Sequence, residues 1–142
     1  WIDNEPEVEA LFASRGFTVV SMKECPLPEQ VRLFSTARVV AGASGAGLAD
    51  IVFTPPGSHV ITLVSDELMR WYAAEGQSRA LWLSPAAADG GELAQLGDSP
   101  RFYGHVAAAL GQISHYFVGP DHVPIQALAA FLDDVLARVD AA

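Results

Sequence analysis

Cysteine is almost missing from this chain. Cys25 is the single one in 142 residues, so no internal disulfide can form, which fits a reducing compartment. Positive charge is also scarce, with 8 Lys and Arg against 17 Asp and Glu and a net charge of -9. Without a basic field the chain has no means of displacing counterions from a phosphate backbone, which excludes nucleic acid as its main partner. No apolar run approaches the ~20 residues that span a bilayer. The first residues lack the basic flank and apolar core of a signal peptide. His105, His115 and His122 have no histidine four residues away and no cysteine nearby, so no metal site is expected. Internal repeats and low-complexity tracts are absent. The expected location is the cytoplasm, with any membrane association left to a segment ahead of Trp1.

What is present is ample material for a core: 51% of residues are hydrophobic and only 18% charged. The length suits one domain, residues 1–142. The chain opens on Trp1 and approaches a helix at once, so an earlier domain is expected to precede it. Asn4 reads as a helix N-cap with Glu7 as its capping-box partner. Val8, Leu11 and Phe12 share one face, and Gly16 stops the helix. Residues 17–22 read as a short strand. Pro26 and Pro28 introduce a second helix with Leu27, Val31 and Phe34 as its buried stripe. Residues 38–41 and 60–64 read as buried strands, the latter rich in β-branched residues. A helix of about two turns, ending near Phe53, lies between them.

Residues 67–75 read as a helix, 80–83 as a strand, and 84–100 as a surface loop with no periodicity. A helix over 101–112 and a strand or extended arm over 114–118 follow. Ile125, Leu128, Leu132, Val135, Leu136 and Val139 mark an amphipathic terminal helix. Helices alternating with short apolar strands give an α/β fold, a Rossmann-like three-layer sandwich with a mainly parallel sheet. Asp133 and Asp134 read as a solvated helix face rather than a metal pair. Trp71, Tyr72 and Trp82 read as core, though each could stack on a nucleobase. Arg70, Arg79 and Arg101 are the only cations between the glycine turn and Arg138, and one of them could face a diphosphate.

The chemistry concentrates in residues 42–47, Gly-Ala-Ser-Gly-Ala-Gly, between a strand and a helix. Glycines there allow close approach to the main chain, and a helix start offers free N–H groups and partial positive charge to a phosphate. The same turn could also be mere packing. As a dinucleotide turn it lacks an acidic residue at Val64, with Asp66 two positions late, and no Tyr-x-x-x-Lys follows. As a hydrolase elbow, Ser44 is followed by Ala46 where the last glycine belongs. Asp66 with His105, His115 or His122 would complete a triad in the required order.

A third reading rests on several motifs in order: Asn4-Glu5, Gly16-Phe17, Glu29-Gln30, the block Gly42 to Asp50, Phe53, Pro56-Gly57 and Val60 to Leu63. The chain resembles the DUF563, or GT61-like, glycosyltransferases, whose pattern runs N-E, G-F, E-Q, G-x-H-G-A-G-L-T-N-x-x-F, P-G and V-I-E-L. From Gln30 to Leu63 the spacing needs no gap. The resemblance implies the C-terminal, donor-binding lobe of a two-lobed GT-B enzyme. Its donor would be a nucleoside-diphosphate sugar and its acceptor a glycan, in bacterial polysaccharide or capsule biosynthesis. No further cofactor and no metal is implied. Gly45, Ala46, Gly47 and Leu48 match the donor turn, and Gln30 and Glu29 match the E-Q pair. Ser44 stands where the family has histidine, Asp50 where it has asparagine and Thr62 where it has glutamate, and the arginine before the N-E pair is missing. Serine donates only a neutral hydrogen bond where histidine could donate a proton, and threonine binds a ribose diol more weakly than glutamate. Asp50 sets a negative charge near a bound diphosphate. A catalytically degenerate binding domain is therefore the alternative, and a serine hydrolase the third reading.

Overall fold

In the computed structural model, residues 2–67, 70 and 98–141 are described. Helix α1 (Glu5–Ser14) leads to an extended stretch and helix α2 (Leu27–Ser35), then strand β1 (Val39–Ala43). A 3₁₀ helix (Ala46–Phe53), strand β2 (His59–Ser65), helix α3 (Asp98–Ala109), strand β3 (Ile113–Gly119) and helix α4 (Ile125–Ala141) follow. The three strands form one parallel sheet in the order β1-β2-β3. Val39 pairs with His59 and Ala43 with Leu63, while Ile61 pairs with His115 and Ser65 with Gly119.

All seven residues of β2 are buried, as its β-branched run requires of a strand covered on both faces. Alternation along the strands then divides the interior in two. Ile61 and Leu63 pack on one face with Val8, Leu11 and Phe12 of α1 and with Leu128, Leu132, Val135 and Val139 of α4. Val60 packs on the other with Leu48, Ile51, Tyr103 and Ala107. A parallel sheet between two helical layers is the expected α/β sandwich.

Several local readings need correction. Residues 17–22 lie outside the sheet and carry no strand. Leu27 is 60% exposed, and α2 buries no residue fully. Its half-buried Phe34 packs against the cluster of Leu48, Ile51 and Val60, which leaves Leu27 at the surface. The helix after the glycine turn is 3₁₀ and ends at Phe53. Residues 98–100, read as loop, are the first turn of α3. The helix read over 67–75 and the strand over 80–83 fall largely or wholly outside the described residues, together with Trp71, Tyr72, Arg79 and Trp82. Gly16 does end α1, at φ 84°.

Asn4 is the N-cap residue of α1 and its Nδ2 donates to Glu7 at 3.3 Å, but its side chain makes no cap hydrogen bond to the helix backbone. It is 6% exposed and points across the domain. Its Nδ2 donates to the Val123 carbonyl at 2.9 Å, and its Oδ1 accepts the Val123 N–H at 2.9 Å. This two-way clamp ties α1 to the loop ahead of α4. The Asp3 N–H reinforces it by donating to the Asp121 carbonyl at 2.9 Å. Replacing Asn4 by alanine leaves a buried N–H and C=O unpaired. Asn4→Ala is expected to destabilise the fold by roughly 2–4 kcal/mol, read as a lower urea midpoint at unchanged slope.

Candidate functional site

The glycine turn begins where β1 leaves the sheet. The Ser44 N–H donates to the Leu63 carbonyl at 2.8 Å, extending the ladder one residue past the strand. Gly45 is extended (φ 170°, ψ 178°) and caps the 3₁₀ helix. Its carbonyl accepts the Leu48 N–H at 3.0 Å and the Tyr103 hydroxyl of α3. Tyr103 is buried, which pushes its phenol pKa up and keeps it a neutral donor. Ser44 and Leu48 amides are thus engaged by the fold, and Gly45 and Gly47 are exposed on the turn.

The glycines of this turn differ in purpose. A Cβ at Gly42 would stand 3.0 Å from Leu48 Cδ2, so Gly42 is there to admit the buried Leu48. A Cβ at Gly45 would meet only the Ala43 carbonyl at 3.9 Å, and one at Gly47 only Met22 Cγ at 3.8 Å. Both are ordinary contacts, both residues are exposed, and neither lies in the left-handed region that favours glycine. Neither packing nor backbone conformation demands glycine at 45 or 47. What glycine provides there is bare backbone facing out of the sheet's C-terminal end, where ligands of open α/β sheets bind.

The turn also closes one end of a groove of about 760 Å³ along the outer edge of β1. Ser44, Gly45 and Gly47 line it at that end, and Arg38 at the other. Arg38 donates to the Val139 carbonyl at 2.9 Å, and Arg15 pairs with Asp133 at 3.0 Å, which holds that carboxyl below its usual range. Both groove cations are therefore spent on α4. Arg70 pairs with Asp66 at 3.0 Å, which occupies the acid closest to the end of β2.

The other expected site residues are scattered. Half-buried Asp50 sits on the 3₁₀ helix. Thr62 is 1% exposed and lies between Gly42 and Tyr116 in the sheet, so it belongs to the interior. Gln30 donates to the Met22 and Cys25 carbonyls at 3.1 and 2.6 Å and holds the loop before α2. Glu29 pairs with Arg32 on the surface, and Glu5 is an exposed residue of the first turn of α1. Among the described residues no histidine bonds to Ser44, and no group of three or more His, Cys, Asp or Glu could hold a metal ion. His105 and His122 are exposed.

His115 is engaged elsewhere, and sequence reasoning missed where. It sits beside His59 on the adjacent strand, with His59 Nδ1 2.8 Å from His115 Nε2 and the rings stacked 7° from parallel. One ring donates and the other accepts, which requires the accepting ring to be neutral. Burial lowers both pKa values, joined for His59 by the Arg38 charge and for His115 by the His59 and Arg138 charges, which Asp134 opposes. The only sequence signal was β2 register parity, and that needs the pairing to be known.

Residues 1–61 match the model of the family Glycosyltransferase 61. The matched span runs from α1 through the glycine turn into β2 and takes in the motifs on which the resemblance rests, up to Ile61. It bears out the resemblance and the enzyme class it implies, a glycosyltransferase. No curated protein and no solved structure matches the chain.

The histidine pair sets a pH dependence. Both folded pKa values lie below the unfolded value near 6.5, so the unfolded chain binds more protons as the pH falls through it. Stability is expected to hold above about pH 6.5 and decline below it, down through the folded pKa values. His115→Gln, which takes up no proton, is expected to flatten that decline in urea titrations between pH 7 and 5.

Proposed function

We propose that this chain, whose first 61 residues carry the Glycosyltransferase 61 pattern, binds a nucleoside-diphosphate sugar at the turn Gly45-Ala46-Gly47 as the donor lobe of a two-lobed transferase. The observation that carries the reading is that Gly45 and Gly47 are glycine without any steric or conformational need among the described residues. Close approach of an anion to the main chain supplies the need. Amides at the start of the 3₁₀ helix would take the diphosphate oxygens and stabilise the charge that develops as the diphosphate leaves the anomeric carbon. Ser44 lines the same groove and offers a neutral hydrogen bond. The acceptor, a glycan, would be held by a preceding lobe, and bacterial polysaccharide or capsule assembly is the setting this reading implies.

A second reading is favoured by Thr62. At 1% exposure it is part of the interior, and the glutamate the family has there would have to bury a charge. A chain that has given up this contact and the histidine at 44 fits a binding domain without transferase activity. Restoring Ser44→His and Asp50→Asn leaves the interior untouched and separates the two. Donor binding confined to the restored protein supports the degenerate scaffold.

The direct test is calorimetric titration with UDP, GDP, CMP and UDP-sugars, alongside Gly47→Ala. A methyl at 47 fits the fold but intrudes on the backbone that faces the ligand. Gly47→Ala is expected to shift stability by less than about 1 kcal/mol while weakening binding of the nucleoside diphosphate about tenfold or more, roughly 1.4 kcal/mol. Equal binding by the wild type and Gly47→Ala would remove the turn from the site.

A further inference from the structure

Residues 17–22 have a strand's composition, Phe-Thr-Val-Val-Ser-Met, and no strand's partners. Phe17 N–H donates to the Phe12 carbonyl, and the next backbone bonds are those the Ser21 carbonyl accepts from Glu24 and Cys25. Between them, residues 18–20 donate no backbone hydrogen bond among the described residues. Val19 and Val20 are 48% and 37% exposed. Beside them β1 pairs with β2 alone, so its outer edge is unpaired among the described residues.

Gly16, Phe17, Thr18, Val20 and Met22 line one groove together with the whole of β1. Met22 reaches the glycine turn, its Cγ 3.8 Å from where a Cβ of Gly47 would stand, so the stretch ends beside the end of β1. Helix α2 then joins the stretch to β1, which makes extended segment, helix and strand the order of a parallel crossover unit. Gly16, at φ 84° with no atom within 4 Å of a Cβ position, provides a pivot at the start.

We propose that residues 17–21 are a strap that anneals in parallel to the outer edge of β1 as a fourth strand and closes the groove, with Phe17 opposite Val39 and Ser21 opposite Ala43. Closure pairs backbone groups that now face solvent or cavity, removes an exposed sheet edge and takes valine surface out of water. It leaves the glycine turn approachable only from the strand ends. In the open form the groove leads to Ser44 along the whole of β1. The strap is independent of what the turn binds.

Amide exchange and NOE spectra of the whole chain read the strap directly. An edge strand directs alternate N–H groups at its neighbour, so exchange over residues 18–22 is expected to slow by about tenfold or more at every second amide, with NOEs to residues 39–43. Transient closure is read by a trap, Val19→Cys with Ala41→Cys in a Cys25→Ser background. The register brings these Cα atoms within the roughly 4.4–6.8 Å a disulfide needs. Mild oxidation of the folded protein, checked by retained protection of β2, is expected to give an intramolecular crosslink. A crosslink upholds the strap even where protection is weak. Free thiols after oxidation, with uniformly fast exchange over 18–22, overturn it.

Discussion

The ladder of β2 is the constraint on which everything else hangs. Each of its residues is buried, its backbone is paired to β1 on one side and β3 on the other, and its two faces seed the two halves of the interior. Parallel pairing also aligns the ends of all three strands, so that the turn after β1 and the residues after β2 and β3 emerge on one side. The ladder bond from Ser44 to the Leu63 carbonyl carries that alignment into the turn. Without it, Gly45 would not lie where Tyr103 can hold its carbonyl.

The polarity of the sheet separates two chemistries. At the C-terminal end the chain presents bare backbone and short polar side chains, with the groove arginines paired to α4. At the opposite end two stacked imidazoles share a hydrogen bond beside Arg38 and under α4. Anion affinity at the first end comes from dipoles of the main chain, while the second is sensitive to protons. Both follow from side-chain alternation on the same strands.

The α/β order, the parallel sheet and the terminal helix were legible in the sequence because long periodic patterns report them: the β-branched run of β2, and the spacing of Leu128, Leu132, Val135 and Val139. The glycine turn was legible as a feature, but the roles of its glycines were not. Gly42 is distinguished from Gly45 and Gly47 only by the position of Leu48 in space. Asn4 was legible as a polar residue at a helix start, yet its partner lies 119 residues away, beyond any local pattern. Residues 17–22 show the reverse failure. Their composition favours a strand, but a strand is defined by pairing, and pairing depends on whether the edge beside it is engaged. Leu27 was read as buried for the same reason, since the periodicity of α2 does not say how much sheet lies beneath it.

The Asn4 clamp bears on the order in which the chain acquires its shape. Helix α1 has 10 residues, too few to persist alone in water. Its apolar face is answered by α4, and its anchoring side chain by Val123. Within this domain α1 is made ahead of Val123 and α4, so it stays unsecured until they have been synthesised. Folding of this domain therefore has to bring together two segments far apart along it, with α1 secured only once α4 is present.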